Sequence, residues 1–323
     1  MKNKLYPLKF QPIVKEKVWG GEKLKTILQK KTDFEKTGES WEISAIENSV
    51  SKVINGKLKN HSLTELLAVY KEDLVGKKVY QTYGQKFPLL FKFLDAGQNL
   101  SLQLHPNDEI AKERHNSFGK SEMWYILQAE KNAGIYVGFI PGTTQQDYLE
   151  HLEKGNLEKI MNFEKVKPGD VFYIKPGLVH SIGKGVLLAE IQQSSDITYR
   201  LYDWNRKDLN GKPRELHTEL ALDAIDFQFD EFKIKYNCSP NTFQQLVKSK
   251  FYTTRKINLN KSLQLNYSET DSFVVFMCVK GEVEIKTNSE TLHLNCGETA
   301  MIPASIKQLE LQTTTAELLE ITL

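Results

Sequence analysis

The chain has 323 residues, of which 40% are hydrophobic and 26% charged, and its formal net charge is +2. This length is enough for about two domains with sizeable cores, and the composition is typical of an ordinary globular protein. The small net charge and the scattered lysines argue against a nucleic acid or an acidic membrane surface as partner, so we expect neither.

The N-terminal residues and the cysteines indicate the compartment. Residues 1–17 contain no apolar stretch typical of a signal peptide, and no window approaches 18 consecutive apolar residues. The three cysteines, Cys238, Cys278 and Cys296, are odd in number, widely spaced and in no CxxC pair. We therefore expect a cytoplasmic protein whose cysteines form neither a disulfide framework nor a zinc site.

Short runs typical of β-strands dominate the first 200 residues. Gly, Pro, Asn or Asp separates many of them, as in an all-β sandwich or barrel. The clearest runs are residues 87–96, 101–105, 123–129, 133–140, 170–177 and 185–193.

Helices are expected to be few. Ser62, Asn107 and Thr144 each stand where an N-cap residue is expected before a short helix, and Ser62 with Glu65 has the capping-box spacing. Residues 214–226, RELHTELALDAID, are amphipathic and predict a helix that connects to a second domain.

The remainder of the chain again consists of runs typical of strands. Residues 296–305 repeat the order of turn, Gly, acid, apolar strand and Pro found in residues 167–180, which indicates two copies of one β-fold. We predict a metal-binding domain over residues 1–226 and a C-terminal domain over 227–323. His293 is the only histidine after His217, so the second domain is expected to be structural and to lack metal ligands.

Residues 100–105 alternate leucine with Ser101, Gln103 and His105. Successive side chains of a β-strand point to opposite faces, so the leucines would face a core and the polar groups would share the other face. Gln103 and His105 would stand about 7 Å apart along the strand and can converge on one ion. This polar face within an otherwise apolar sequence indicates a metal site.

Two further residues are candidate ligands of the same ion. Glu122 begins a predicted strand, where the alternative is a strand-edge carboxylate paired with Lys120. His180 follows a Pro-Gly turn that can direct its side chain across the mouth of a barrel. Imidazole, amide and carboxylate ligands suit zinc, although Fe, Mn or Co can bind the same set, and a position is left for water or substrate.

Other charged residues are candidates for a site around this metal, because of their neighbours in the sequence. Lys120 would point to the same side as the predicted glutamate ligand, and Lys92 lies in an apolar run that requires either a polar cavity or a strand end. Glu190 lies among aliphatic residues and needs a partner, whereas Asp196 and Arg200 belong to a polar stretch. Such groups around a metal suit an anionic, hydroxyl-rich substrate such as a sugar phosphate. No phosphate-binding glycine loop or G-x-S-x-G motif is present.

Together these residues resemble the type I phosphomannose isomerases of the cupin superfamily. The resemblance covers most of the chain and is carried by VWGGEKL, GESWEIS, PLLFKFLDAGQNLSLQLHPND, GKSEMWYIL, KPGDVFYIKPGLVHSIG and SSDITYRLYDWNR. It implies an all-β fold with a few helices, built of two cupin-like jelly-roll barrels. Only residues 123–179 separate Glu122 from His180, so the chain resembles the short bacterial form without the helical insertion of longer members.

The resemblance also implies a reaction and the residues that perform it. The reaction is the interconversion of mannose 6-phosphate and fructose 6-phosphate, by proton transfer between C1 and C2 through an enediol. One zinc ion per chain would be bound by Gln103, His105, Glu122 and His180. Family active-site positions fall on Lys120, Glu190, Asp196 and Arg200, and Ser101 and Lys92 match residues near the phosphate. The sequence YRLYDWNR departs from longer family members, which leaves the contacts of Arg200 less defined than its position.

Three alternatives stay open at the level of sequence. A non-enzymatic cupin could bind a sugar phosphate in the same pocket, and two histidines with one carboxylate also form the facial triad of iron-dependent dioxygenases. An isomerase of this kind could act on a related phosphohexose such as glucose 6-phosphate. The sequence leaves undecided which residue is the proton-transfer base, which metal is native, and whether the protein is a monomer or a homodimer.

Overall fold

Strands predominate in the computed structural model, which describes residues 3–228, 230–288 and 290–323. The strands up to residue 202 are β1 (Leu8–Lys9), β2 (Ile13–Gly21), β3 (Thr37–Ile43), β4 (Ala45–Ile46), β5 (Ser49–Val50), β6 (Leu89–Asp95), β7 (Leu102–Leu104), β8 (Glu122–Ala129), β9 (Gly134–Phe139), β10 (Met161–Lys165), β11 (Val171–Ile174), β12 (His180–Ile182), β13 (Val186–Gln193) and β14 (Tyr199–Tyr202). The later strands are β15 (Gln244–Lys248), β16 (Thr253–Leu259), β17 (Leu263–Asn266), β18 (Val274–Lys286), β19 (Thr291–Asn295), β20 (Thr299–Ile302), β21 (Gln308–Gln312) and β22 (Ala316–Thr322).

The helices of the described residues are short. They are α1 (Lys23–Thr26), α2 (Leu63–Tyr70), α3 (Glu72–Val75), α4 (Lys77–Tyr83), α5 (Asp108–His115), α6 (Gln145–Glu153) and α7 (Thr218–Leu222), with 3-10 turns at Gly56–Leu58 and Leu157–Ile160. The three predicted N-caps are confirmed, because the side chains of Ser62, Asn107 and Thr144 each accept a backbone N–H of the first turn. Over the described ranges, each helix falls short of the length and apolar character that crossing a membrane requires.

The first barrel consists of two antiparallel sheets that enclose the candidate site. One sheet has six strands in the order β11-β8-β13-β6-β3-β2, and the other has five in the order β10-β9-β12-β7-β14. Every residue of β6 and β13 is buried, because the first sheet is covered on both faces. One face looks towards the second sheet, and the other packs against the C-terminal barrel through residues such as Phe91, Met277 and Leu319.

The C-terminal barrel is formed by β15 to β22, and β1 from the N-terminal end of the chain joins it by pairing with β20. The 13-residue strand β18 pairs with β19, β20, β21 and β22 and so connects its two halves. Its interior is an apolar cluster that includes Phe276, Ile285 and Leu318. The predicted all-β fold with two cupin-like jelly-roll barrels is thereby confirmed, whereas the domain boundary at residues 226 and 227 stays a prediction.

The helix predicted over residues 214–226 is wrong in extent, because only α7 is helical there. Arg214 donates two hydrogen bonds to Asp203, at 2.7 and 2.5 Å, and Arg200 Nη1 donates to the carbonyl oxygen of Glu215 at 2.8 Å. The N–H of His217 donates to the carbonyl oxygen of Arg200 at 2.7 Å. These tertiary contacts hold residues 214–217 beside β14, and they outweigh the marginal stability of an isolated short helix.

Candidate active site and metal centre

One row of side chains crosses the six-stranded sheet. The strand register places Trp41, Lys92, Glu190 and Trp124 side by side on β3, β6, β13 and β8. Directly opposed residues of an antiparallel pair project from the same face, and all four side chains line one cavity between the sheets. Of the two surroundings expected for Lys92, the structure shows the polar cavity, and Glu190 has the partner that it was expected to need. Lys92 Nζ lies 2.8 Å from Glu190 Oε1.

The five-stranded sheet supplies a second row that faces the first. Gln103 on β7 lies directly opposite His180 on β12 and Arg200 on β14, so the three side chains share one face. The hydroxyl of Ser101 donates to Gln103 Oε1 at 3.1 Å. The predicted split into a leucine face and a polar face holds for Leu102 and Leu104, which pack in one apolar cluster away from the cavity, but it is wrong for Leu100, which lines the cavity beside Ser101 and Gln103.

A buried cluster of His105, Glu122 and His180 lies where the two rows meet. Each offers one ligand atom, and these atoms all lie within 4.8 Å of one another. His105 Nε2 is 3.1 Å from one carboxylate oxygen of Glu122, and His180 Nε2 is 3.9 Å from the other. Lys120 points to the same side as Glu122, as predicted, and its Nζ lies 2.8 Å from the same carboxylate, so the pairing named as the alternative for Glu122 is also present. The indole N–H of Trp124 is shared between Glu122, at 3.1 Å, and Glu190, at 3.0 Å.

The hydrogen bonds of the two imidazoles show that this cluster fits a cation. Nδ1 of His105 lies 2.9 Å from the carbonyl oxygen of Ile197, and Nδ1 of His180 lies 2.8 Å from that of Leu178. A carbonyl oxygen only accepts, so in each neutral ring the proton resides on Nδ1 and Nε2 keeps its lone pair. Both Nε2 atoms are buried without a hydrogen-bond partner among the described residues, and they lie against a carboxylate. Three buried acceptors directed at one another are stabilised by a positive ion between them.

The charge states of these groups agree with that interpretation. Burial and the nearby Lys120 cation lower the pKa of His105 to about 3, and burial also lowers the pKa of His180, so both rings are neutral ligands at neutral pH. Burial opposes ionisation of Glu122, but the nearby Lys120 cation holds the pKa of this carboxyl well below the ordinary value. Burial and then the charge of Glu122 raise the pKa of Glu190. Neutral imidazoles with one carboxylate form a ligand set suited to zinc.

The cavity that contains these groups has a volume of about 270 Å³. Its deep end is formed by Lys120, Glu122, His180 and Glu190, all nearly inaccessible to solvent. Asp196, which is exposed, lies with Thr198, Arg200 and Arg214 along its more open part. Among the predicted site residues, the lining includes Ser101, Lys92, Gln103, Lys120, Glu122, His180, Glu190, Asp196 and Arg200.

Sequence reasoning missed several residues of this cavity. Glu39 and Trp41 on β3 belong to a segment used only for the resemblance, although residues two positions apart in a strand share one face, which puts a carboxylate and an indole N–H side by side. Trp41 Nε1 donates to Glu39 at 2.6 Å, and the ammonium of Lys17 lies 3.3 Å from the same carboxylate. Arg214 was assigned to a helix, and no local pattern indicates that it returns to the cavity.

Two jelly-roll barrels, one of which encloses a His–Glu–His cluster between its sheets, define a two-barrel cupin with a candidate metal centre. A family model described as phosphomannose isomerase type I, catalytic domain, matches residues 7–134, and one described as mannose-6-phosphate isomerase, cupin domain, matches residues 242–322. The chain belongs to the type I phosphomannose isomerase family.

Individual relatives agree with this membership along nearly the whole chain. Mannose-6-phosphate isomerase ManA of Bacillus subtilis is 35% identical over 95% of this chain and 96% of its own. The crystal structure of the mannose 6-phosphate isomerase from Bacillus subtilis superposes with a TM-score of 0.90, at 31% identity, over 98% of this chain and 99% of that one. A mannose 6-phosphate isomerase structure bound with zinc and yttrium shares the fold, with a TM-score of 0.76 at 17% identity over 98% of this chain and 99% of that one.

Proposed function

We propose that this chain interconverts mannose 6-phosphate and fructose 6-phosphate in a zinc-dependent reaction that passes through an enediol. The observation that carries the proposal is the buried His105, Glu122 and His180 cluster, of which Glu122 and His180 line, with Lys120 and Arg200, a cavity of about 270 Å³. Membership of the isomerase family and the names of relatives that match over nearly the whole chain support the choice of substrate.

The proposed cofactor is one zinc ion per chain, bound by His105, Glu122, His180 and Gln103. The two unpartnered Nε2 atoms and the low pKa of Glu122 support the first three ligands. Gln103 is added because it stands directly opposite His180 on the neighbouring strand. When bound, zinc would supply a Lewis acid that polarises the oxygens of the substrate.

The proton-transfer step is proposed to use residues that already face the cavity. An aldose–ketose isomerisation moves a proton between C2 and C1, so it needs a base and groups that stabilise negative charge on oxygen. Lys120 and Arg200 are proposed to supply positive charge, while Glu190 and Asp196 are the two carboxylates proposed to move or orient the proton. Both oxygens of Glu190 are engaged by Lys92 and Trp124, whereas Asp196 is exposed to the cavity.

Three further predictions accompany this function. Ser101 and Lys92 are proposed to lie near the phosphate, and the partner is a small sugar phosphate bound by a monomer or homodimer. The three free cysteines, Cys238, Cys278 and Cys296, support the proposed cytoplasmic location.

A coupled isomerase assay on metal-depleted enzyme tests the proposal. After treatment with EDTA, we expect no conversion of mannose 6-phosphate, and we expect zinc to restore more activity than Fe, Mn or Co. Glucose 6-phosphate tested in parallel measures epimer preference, and an oxygen electrode measures dioxygenase activity. Full turnover in the absence of metal would refute zinc dependence, and metal-dependent oxygen uptake without isomerisation would replace the isomerase by a dioxygenase.

A further inference from the structure

The open part of the cavity borders a cluster of three arginines around one acid, here called the arginine corner: Arg200, Arg206, Arg214 and Asp203. Asp203 Oδ1 accepts from Arg206 at 2.7 Å and from Arg214 at 2.5 Å, and Asp203 Oδ2 accepts from Arg214 Nε at 2.7 Å. The Asp203 side chain is 6% exposed and that of Arg214 19% exposed. Two guanidinium groups thus share a single carboxylate, and the third, that of Arg200, has no hydrogen bond to it among the described residues.

The chain builds this corner by folding back on itself after β14. Arg200 Nη1 donates to the carbonyl oxygen of Glu215 at 2.8 Å, and the backbone N–H of Arg200 donates to His217 Nδ1 at 3.2 Å. These contacts place Arg214, the residue before Glu215, beside Arg200. Burial and the proximity of the Arg214 cation lower the pKa of Arg200, which shows that the two positive charges oppose each other.

Arg214 and Arg206 hold Asp203 in similar ways but differ in what their remaining donors can do. Arg206 donates through Nη1 to the carbonyl oxygen of Asn99 at 2.5 Å and is absent from the cavity lining. Arg214 lines the cavity, and its Nη1 has no hydrogen-bond partner among the described residues. Nε of Arg200 is likewise buried without a partner in the part of the chain that the structure describes. Two guanidinium groups next to the cavity therefore retain unused donors.

The chemistry of the substrate decides which of its groups belongs here. In mannose 6-phosphate the phosphate is on C6, at the opposite end of the carbon chain from C1 and C2. If C1 and C2 lie at the His105, Glu122 and His180 cluster, the phosphate lies towards the open part of the cavity. Lys92, by contrast, is buried and paired with Glu190 at 2.8 Å in the row of side chains on the six-stranded sheet. Planar guanidinium groups bind phosphate oxygens through paired N–H donors, and a corner with excess positive charge attracts a dianion.

We propose that Arg214 binds the phosphate group of the substrate, and that Asp203 is the positioning residue that orients the Arg214 guanidinium. This inference rests on the proposed isomerase function, because it assumes that the sugar phosphate places its C1–C2 end at the metal cluster. Arg214 then determines that phosphorylated hexoses are preferred to free hexoses.

The test compares Arg214→Ala, Arg214→Lys and the matched control Arg206→Ala in the zinc-loaded enzyme. For Arg214→Ala we expect the KM for mannose 6-phosphate to rise by about tenfold or more, because a charged hydrogen-bonding contact is lost. The inhibition constant of inorganic phosphate should rise by a similar factor. The kcat and the zinc content should stay near those of the unmodified enzyme, and the KM of Arg214→Lys should fall between those of Arg214→Ala and the unmodified enzyme.

The control separates a phosphate contact from a structural effect. Arg206→Ala removes an equivalent hydrogen-bond partner of Asp203 without removing a group from the cavity, so its KM and phosphate inhibition should change little. Equal effects of Arg206→Ala and Arg214→Ala would overturn the proposal, and so would an unchanged KM in Arg214→Ala, which would favour Lys92 and Ser101. If Arg214→Ala does not fold, Arg214→Lys with the phosphate inhibition constant decides the question. Failure of the isomerase function itself is distinguishable, because the unmodified enzyme would then be inactive on mannose 6-phosphate.

Discussion

The two barrels of this chain differ in what occupies the space between their sheets. In the first barrel, Lys92, Glu122 and Glu190 project from neighbouring strands towards a cavity. In the C-terminal barrel, residues such as Phe276 and Leu318 form an apolar interior.

Burial of a charge costs free energy, so a charged interior is a poor way to stabilise a barrel. Glu320, a buried acid of the second barrel, is matched by the Tyr267 hydroxyl and by Arg255, each at 2.5 Å. The first barrel instead keeps two imidazole nitrogen atoms without partners among the described residues. We infer that the second barrel contributes core packing, partly by covering the back of the sheet that bears the site. The first barrel has polar and charged side chains where apolar packing would be more stable, because its site requires them.

The largest expected effect comes from removing a ligand from the first barrel. His180→Ala should abolish zinc binding and lower turnover by about a thousandfold or more, because the metal centre loses one of its buried donors. Metal analysis after dialysis and the coupled isomerase assay measure both effects. The matched control is His293→Ala in the second barrel, a half-exposed residue that should leave both unchanged. An active, zinc-replete His180→Ala enzyme would contradict the ligand assignment.

In the second barrel, truncation of a buried apolar side chain should lower stability instead of activity. Phe276 is fully buried, so Phe276→Ala should lower the free energy of unfolding by about 3–5 kcal/mol through lost burial and a residual cavity. Urea unfolding of the metal-free protein measures this loss. Under conditions where the variant is folded, its zinc content and kcat should remain close to those of the unmodified protein. A variant of normal stability with impaired zinc binding would contradict the assignment of packing to the second barrel and of metal binding to the first.

The Lys92–Glu190 pair tests whether the polar row exists for stability or for function. Lys92→Met alone should destabilise the fold by about 3 kcal/mol, because it leaves a buried carboxylate without its cation. The double variant Lys92→Met with Glu190→Leu should regain most or all of that stability, since a pair of apolar groups replaces the ion pair. Both variants should be inactive. Chemical denaturation and the isomerase assay on the same samples measure stability and activity. A double variant that is less stable than the single variant would refute this interpretation.

Arg200 should affect the chemistry more than the metal. Arg200→Ala is expected to lower kcat by about a hundredfold, because positive charge near the reacting oxygens is lost. Its zinc affinity should change much less, since Arg200 lies opposite Gln103 but outside the His–Glu–His cluster. Steady-state kinetics and a zinc titration measure the two separately. Near-normal turnover in this variant would exclude Arg200 from the reaction.

The smallest effect concerns the arginine corner and depends on pH. Burial opposes ionisation of Asp203, but hydrogen bonds from Arg214 and Arg206 lower its pKa. Its contribution to stability is therefore present above the unfolded-state value of about 4 and is lost as the pH falls through the lower folded-state pKa.

Asp203→Asn should accordingly reduce the free energy of unfolding by about 1–3 kcal/mol at pH 7. The difference from the unmodified protein should shrink as the pH falls below about 4. Urea unfolding at a series of pH values gives this difference directly, and a difference that grew on acidification would show that Asp203 is not stabilised as a carboxylate.

Much of the fold and several parts of the site could be predicted because they depend on local pattern. The alternation of residues 100–105, the position of Glu122 at the start of β8 and the caps of α2, α5 and α6 are properties of a few neighbouring residues. The amphipathic pattern of residues 214–226 was misleading. The start of this segment forms hydrogen bonds with Arg200 and Asp203, which precede it in the chain, and these contacts keep it from being helical.

The sequence by itself determined which residue types are available: the strand periodicity, the polar face with Gln103 and His105, and a lysine and a glutamate that require buried partners. Only the tertiary structure decided how these groups meet. Strand register placed Lys92 beside Glu190 and Gln103 between His180 and Arg200. The chain reversal after β14 brought Arg214 to the cavity. Strand register and the chain reversal are set by contacts between segments that are distant in sequence. A local sequence pattern does not contain the energies of those contacts.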